Sequence, residues 1–242
     1  MKLFRAQPEE YYDAPFASFP LACRVFLAIA KALILLWSKI YWHWTCDGPN
    51  PFEHRDPEGK GRVIIANHAS MLDPCLLISL SLGKGCAIRP IFKDEFLKSG
   101  FLKWFFARIG GIPVKRGTAD VKSIRRAVNA IKRGEDVLIF PEGTRIWDPH
   151  ARPELYGGFS FIAQMAHCDV VPVAIDGAEL INPNKQHRIV RPARVRVRFG
   201  EPVSIDSVQA PTRKEQSEEL ERMSMGLVYA MRDALRRENG KD

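Results

Sequence analysis

The chain has 242 residues, 46% of them hydrophobic, which excludes a largely disordered protein and is enough for one large α/β core. Its 36 Lys and Arg residues outnumber 28 Asp and Glu residues, which gives a formal net charge of +8. This charge favours anionic partners (phosphate-bearing ligands, acidic lipid surfaces or nucleic acid) without choosing among them. The five cysteines form no C-x-x-C pair, which argues against a zinc knuckle or a disulfide framework.

The most apolar stretch, "PLACRVFLAIAKALILLWSKIYWHWT", occupies residues 20–45 and predicts a long helix. Charged residues interrupt it, which disfavours both a spanning helix and a secretory signal. Three tryptophans cluster near its C-terminal end, as interfacial anchors do. We predict that the helix lies in a membrane interface with its basic side toward the headgroups; the alternative is a core helix with an exposed basic stripe. That basic side consists of Arg24, Lys31, Ser38 and Lys39.

Three segments are predicted: residues 1–46 form an amphipathic membrane-associating helical segment, 47–61 form a linker, and 62–242 form an α/β domain. In the last segment short apolar runs alternate with amphipathic ones, the rhythm of βαβ units. Residues 62–66, 136–140 and 170–175 predict buried strands. A helix is predicted between the first two, with Asp120 as its N-cap, Gly134 as its end and Val121, Ile124, Val128 and Ile131 as its apolar face. The fold class is therefore α/β, with a mostly parallel central sheet flanked by helices.

Two further elements are predicted near the C-terminus. Residues 194–199, "RVRVRF", alternate strictly between arginines and apolar residues, which is typical of a half-buried strand. Its arginines could face either phosphates or water. A final amphipathic helix is expected to pack on the sheet through Leu220, Met223, Leu227, Met231 and Leu235.

Three polar segments follow apolar runs: "NHASMLD" (67–73), "GGIPVKRG" (110–117) and "FPEGTR" (140–145). Ligands of open α/β sheets bind beyond the carboxyl ends of the parallel strands, where such segments could meet. His68 is a natural base near neutral pH, and Asp73 could fix its tautomer. The alternative for Asp73 is a helix N-cap preceding Pro74.

The economical mechanism has His68 deprotonate a substrate hydroxyl without a covalent intermediate, because Ser70 lacks a nucleophile elbow. Glu142 suits an acceptor for hydroxyl groups, and Arg145 suits a phosphate clamp. The other histidines do not pair with carboxylates at the spacing of zinc ligands, so no metal site is expected.

Taken together, "NHASMLD", "GGIPVKRG", "FPEGTR" and "VVPVAI" resemble, in order, the four motifs of the glycerolipid acyltransferase family. The resemblance covers roughly residues 60–200. It implies acyl transfer from a thioester, acyl-coenzyme A or acyl carrier protein, to a lysophospholipid hydroxyl, most typically that of 1-acyl-sn-glycerol-3-phosphate. It implies that His68 is the general base and Asp73 its orienting group. It assigns acceptor binding to Arg116, Glu142, Gly143, Thr144 and Arg145.

The resemblance implies no cofactor beyond the thioester co-substrate. It also implies a membrane lipid surface as partner and a peripheral or monotopic position on the cytoplasmic face of the cell membrane. Two positions depart from the family pattern: Lys115 precedes Arg116, and "ELYGGFSF" lacks the lysine that many members carry there. Another lysolipid or an aminolipid is therefore a second candidate acceptor. A hydrolase built on His68 and Asp73, and a module that binds anionic membranes or nucleic acid without chemistry, are the competing hypotheses.

Overall fold

A seven-stranded sheet forms the centre of the protein, which the computed structural model describes over residues 7–52, 59–115, 120–148, 150–181 and 192–240. Its strands are β1 (Thr45–Asp47), β2 (Val63–Ala66), β3 (Ile88–Lys93), β4 (Ile112–Val114), β5 (Asp136–Ile139), β6 (Val170–Asp176) and β7 (Arg196–Phe199). They are ordered β1-β7-β6-β2-β5-β3-β4. Every neighbouring pair is parallel except β6 and β7. The predicted mostly parallel sheet is confirmed.

The central strands β2, β5 and β6 are buried at every residue, as their continuous apolar runs predicted. Strands β1, β3 and β4 had not been predicted. β1 lies at the junction of the predicted helical segment and linker and pairs with β7, so the sheet begins before residue 62.

Helices cover both faces of the sheet, because successive side chains of a strand point to opposite sides. Val63 and Ile65 of β2 pack with three helices, whereas Ile64 and Ala66 pack with two others. The first group is α5 (Val121–Lys132), α6 (Gly158–Ala166) and α7 (Arg213–Glu238); the second is α2 (Leu21–Trp42) and α3 (Asp73–Ser79). Helices α1 (Glu9–Asp13) and α4 (Gly100–Arg108) pack beside each other near the β3–β4 edge.

The predictions for α5 and α7 hold with one exception each. Asp120 caps α5 by accepting a hydrogen bond from the Ser123 N–H at 3.1 Å. Val121 is 61% exposed, and Ala127 and Ala130 complete the buried face in its place. Helix α7 packs on the sheet as predicted, although Leu227 is 42% exposed.

The predicted basic side of α2 is only partly confirmed, because Arg24 and Lys39 are exposed whereas Lys31 and Ser38 face the protein and are 7% and 0% exposed. The Lys31 ammonium can turn inward because it donates to Ser81 Oγ at 2.8 Å. The outward face is mostly apolar, and includes Leu21, Val25, Phe26, Ile29, Leu33, Leu36 and Ile40. By length and composition alone, α2 is also apolar enough to cross a membrane, a test that core helices and signal sequences pass as well.

Candidate active site

Two of the three predicted segments meet at the carboxyl ends of β2 and β5, which are adjacent in the sheet. The His68 N–H donates to Glu142 Oε2 at 2.8 Å, and the Ile146 N–H donates to the His68 carbonyl at 2.7 Å. These two bonds join the loop after β2 to the loop after β5. The position of His68 is therefore set by a segment 74 residues away in sequence.

His68 and Asp73 are in contact. His68 Nδ1 lies 3.0 Å from Asp73 Oδ2, and this carboxylate oxygen also accepts the N–H groups of Ala69 at 2.8 Å and Ser70 at 2.7 Å. Asp73 is 2% exposed. Because an ionised carboxylate only accepts hydrogen bonds, Nδ1 carries the proton and Nε2 keeps a free lone pair.

The alternative role of Asp73 as an N-cap is wrong. Asp73 is the first residue of α3, preceded by Leu72 at the cap position, and Pro74 follows in the first turn. Its carboxylate turns back toward the loop instead of capping the helix, since its partners are Ala69 and Ser70, which precede it. The backbone donors therefore hold the carboxylate where the imidazole meets it.

Glu142 is a second buried carboxylate of this site. It is 2% exposed, and burial raises its pKa. The hydrogen bonds from the His68 N–H and from the Tyr229 hydroxyl, the latter at 3.2 Å to Oε1, oppose that rise. Tyr229 belongs to α7 and was missed by the sequence analysis. It lies 87 residues from Glu142, so no local pattern could reveal the contact.

A cavity of about 870 Å³ opens beside His68. Its walls are mostly apolar and come from α2, α3, β3, α4 and α6; they include Phe26, Ile34, Ile78, Phe105 and Ile162. The Phe140 ring packs against the imidazole with centroids 4.3 Å apart. A space of this size and polarity suits a long apolar chain whose reactive end lies at His68.

Three consecutive predicted residues also line this cavity: Gly143, Thr144 and Arg145. Gly143 has φ of +65°, a conformation that glycine adopts without strain. Arg145 lies over the Trp147 ring at 5.1 Å. Its Nη1 is buried and has no hydrogen-bond partner among the described residues. This nitrogen is available to an anion in the cavity.

The third predicted segment reaches the cavity through Val114 and Lys115. Arg116, predicted to bind the acceptor, lies outside the described residues. The arginines of β7 do not reach the site. Arg196 and Arg198 instead form ion pairs with Asp47 and Glu238. Within the described ranges, no group of three or more His, Cys, Asp or Glu residues is arranged to hold a metal ion.

Comparison with known proteins identifies the family of this chain. A model of the Acyltransferase family matches residues 43–176, more than half of the chain. The chain belongs to the acyltransferase family. A chloroplastic 1-acyl-sn-glycerol-3-phosphate acyltransferase of Brassica napus is 32% identical over 143 residues, which cover 58% of this chain and 40% of that protein. A 1-acyl-sn-glycerol-3-phosphate acyltransferase of Bacillus subtilis is 29% identical over a region that covers 61% of this chain and 69% of that protein.

The solved structures include a similar acyltransferase fold. The 1-acyl-sn-glycerophosphate acyltransferase PlsC of Thermotoga maritima matches with a TM-score of 0.63 and 23% identity, over 87% of this chain and 81% of that one. The relatives confirm the resemblance drawn from the four motifs. This acyltransferase-family chain spans only about two fifths of the length of the Brassica relative.

Proposed function

We propose that this protein is an O-acyltransferase that moves a fatty acyl group from acyl-coenzyme A or acyl carrier protein to a lysophospholipid hydroxyl. The leading acceptor is 1-acyl-sn-glycerol-3-phosphate, and the product is then phosphatidic acid. The observation that carries the proposal is the His68–Asp73 contact at the mouth of a large apolar cavity. Relatives named for this reaction support the choice of acceptor.

In the proposed reaction, His68 Nε2 takes the proton of the acceptor hydroxyl as its oxygen attacks the thioester carbonyl. Asp73 stabilises the imidazolium that forms, because its carboxylate lies 3.0 Å from Nδ1. When the C–S bond breaks, the thiolate leaves and takes the proton from His68. The new ester and the free thiol are the products, and the enzyme needs no cofactor for this step.

Residues of the loop after β5 have separate proposed roles in binding. Arg145 is proposed to bind the acceptor phosphate, because its buried Nη1 has no partner among the residues described. Gly143 and Thr144 line the same cavity and are proposed to contact the glycerol moiety. Both oxygens of Glu142 already accept hydrogen bonds from His68 and Tyr229, which favours a role in holding the His68 loop. Arg116 remains a proposed phosphate ligand on the resemblance alone.

A peripheral or monotopic position on the cytoplasmic face of the membrane is also part of the proposal. Helices α2 and α4 each line the cavity and also expose apolar side chains, with Ile40 at 65% and Phe101 at 70%. Exposed apolar surface of this extent is typical of a membrane contact. An amphiphilic acceptor would then pass from the leaflet into the cavity without full exposure to water.

Thiol release tests the proposal. Purified protein in mixed micelles is given acyl-coenzyme A or acyl carrier protein thioester with a panel of lysophospholipid and aminolipid acceptors. Release that requires an acceptor and is lost in His68→Ala, but not in the matched surface variant His167→Ala, supports acyl transfer. Equal release without any acceptor would instead indicate a hydrolase. A correctly folded protein that releases no thiol with any pair would contradict the proposal.

A further inference from the structure

A second cavity, of about 420 Å³, lies at the opposite end of the sheet from His68. Its walls include Ala87 and Glu135, which immediately precede β3 and β5, whereas the His68 site lies beyond the carboxyl ends of the strands. Its other walls are residues 15–17, the first half of α2, the glycine-containing turn after α3, and residues 133–134 after α5. We call it the rear groove. Of the residues that the structure describes, only Leu27 and Lys31 line both this groove and the large cavity.

The charges around the rear groove do not balance. Glu135 is its acidic residue, and this carboxylate is already neutralised by Arg89 at 2.8 Å and Arg133 at 3.1 Å. Arg24 and Lys31 also line the groove. Neither the exposed Arg24 nor the buried Lys31 forms an ion pair in the described part of the chain, so no carboxylate described there offsets their charges.

Lys31 is the unusual member of this pair, because its side chain is only 7% exposed. An ammonium group has three donors, and Ser81 Oγ accepts one of them at 2.8 Å. Burial lowers the pKa of Lys31, as expected for a cation without a nearby carboxylate. A buried cation with donors left over is stabilised by an anion that enters the groove.

The position of the groove indicates the type of anion. Arg24 and Lys31 lie two helical turns apart on α2, roughly 10 Å along its axis, and long side chains can close on one phosphate from both ends. Beside them, Val25, Phe26 and Ile29 of α2 are about half exposed. A phosphate with attached acyl chains would place its charge in the groove and its chains along this apolar face.

We infer that the rear groove binds the phosphate of an anionic phospholipid headgroup, at a site separate from the one proposed for the acyl acceptor. A bound headgroup would bridge α2 and the turn after α3. The inference uses membrane contact by α2 but does not depend on acyl transfer. Its test therefore measures occupancy without turnover.

Three cysteines make the test specific. Cys86 lines the rear groove, Cys75 lines the large cavity, and Cys46 is exposed and lines neither. The full chain is alkylated with N-ethylmaleimide, and the rate at each thiol is followed by peptide mass mapping. The probes are dihexanoyl-phosphatidylglycerol below its micellar concentration, its phosphatidylcholine counterpart and inorganic phosphate.

At a phosphatidylglycerol concentration roughly ten times Kd, alkylation of Cys86 is expected to slow about tenfold, while the Cys46 and Cys75 rates stay within about twofold. Phosphatidylcholine should protect Cys86 much less, because it brings a cation into a cationic groove. Protection of Cys75 instead of Cys86 would mean that the lipid enters the large cavity, and would overturn the inference. If inorganic phosphate protects Cys86 and phosphatidylglycerol does not, the inference that the bound phosphate belongs to a lipid would be contradicted.

Variants test whether the protection of Cys86 by phosphatidylglycerol requires Lys31. Lys31→Met keeps the side-chain length and should abolish protection of Cys86, measured as the ratio of rates with and without lipid in the same variant. Lys39→Met removes an exposed charge from the same helix and should keep the protection. If Lys31→Met fails to fold, Arg24→Gln tests the same groove. Full protection in either groove variant would contradict the inference.

Discussion

The loops at the carboxyl ends of β2 and β5 and the β1–β7 edge of the sheet both carry basic residues that a phosphate could bind. On β7, Arg198 Nε lies 2.6 Å from Asp47, and its Nη1 lies 2.9 Å from Glu238. In the loop after β5, Arg145 has a buried Nη1 without a partner among the described residues and packs on Trp147. The first arginine is neutralised by its own chain, and the second is open to a ligand.

This difference shows that the availability of a cation depends on the acidic residues that the fold brings to it. Asp47 and Glu238 reach β7 from positions 151 and 40 residues away in sequence. None of the carboxylates that the structure describes forms an ion pair with Arg145. The following variants sharpen or break this contrast between a site with unused binding capacity and an edge whose charges are satisfied.

The largest effect is expected from removing the base. His68→Ala should lower kcat by about 10³-fold or more, because a positioned general base typically contributes 10²- to 10⁴-fold. The backbone bonds of residue 68 do not involve the imidazole, so Tm and vesicle binding should change little. Thiol release and circular dichroism on the same preparation measure both quantities. A variant with more than about a tenth of wild-type kcat would contradict the assignment of His68.

Arg145→Gln should lower kcat/KM for a phosphate-bearing acceptor by about 10- to 100-fold, since a charge-assisted hydrogen bond contributes about 1.5–3 kcal/mol. Arg198→Gln is the matched control, with the same substitution on β7, and should leave kcat/KM within about twofold. Both are measured by varying the acceptor at saturating thioester. Equal losses in the two variants would remove the contrast between the two regions.

Tyr229→Phe should lower kcat by about five- to tenfold and move the acidic limb of the pH–rate profile to higher pH. The Tyr229 hydroxyl helps to keep the pKa of Glu142 down against the effect of burial. Its loss raises that pKa, so Glu142 becomes protonated at a higher pH and holds the His68 N–H less firmly.

A pH series of kcat for Tyr229→Phe and the wild type provides the measurement. Tyr41→Phe, which removes a hydroxyl from half-buried Tyr41 on α2, serves as the matched control and should leave the profile unchanged. A lower kcat with an unmoved acidic limb would indicate that Tyr229 acts by packing alone and not through Glu142.

The smallest effect is expected at the β1–β7 edge of the sheet. Arg198→Gln should lower Tm by no more than about 3 °C, because partly exposed ion pairs contribute little and are screened by salt. The difference from wild type should shrink further in 1 M NaCl. Thermal unfolding at two salt concentrations measures it. A salt-independent loss of 10 °C would show that this edge is more than a solvated ion-pair network.

Local sequence patterns predicted the elements that are held by their own apolar residues. Strands β2, β5 and β6 are continuous apolar runs, and α7 presents a regular apolar face to the sheet. Strand β3 was missed because Arg89, which is 1% exposed, breaks its apolar run, and the compensating Glu135 lies 46 residues away. Strands β1 and β4 have three residues each, too few to establish an alternating pattern.

The candidate site likewise has contacts that a local pattern can predict and contacts that it cannot. His68 and Asp73 are five residues apart, so a local pattern could suggest their contact. The Tyr229–Glu142 bond and the inward turn of Lys31 depend on partners 87 and 50 residues away, which no local pattern contains. The outward position of Lys31 on α2 was predicted wrongly for this reason. Lys31 was predicted to face outward because the local sequence gives no sign of its buried partner, Ser81.

Strand β1 follows directly on α2, through the left-handed turn at His43, and this order of elements matters for any shortened form of the protein. Removing residues 1–47 would delete the apolar helix α2 together with β1. It would also strip β7 of its parallel neighbour and leave unpaired N–H and C=O groups along a sheet edge. We expect the trimmed protein to aggregate edge to edge through β7, with its large cavity open on the side where α2 stood.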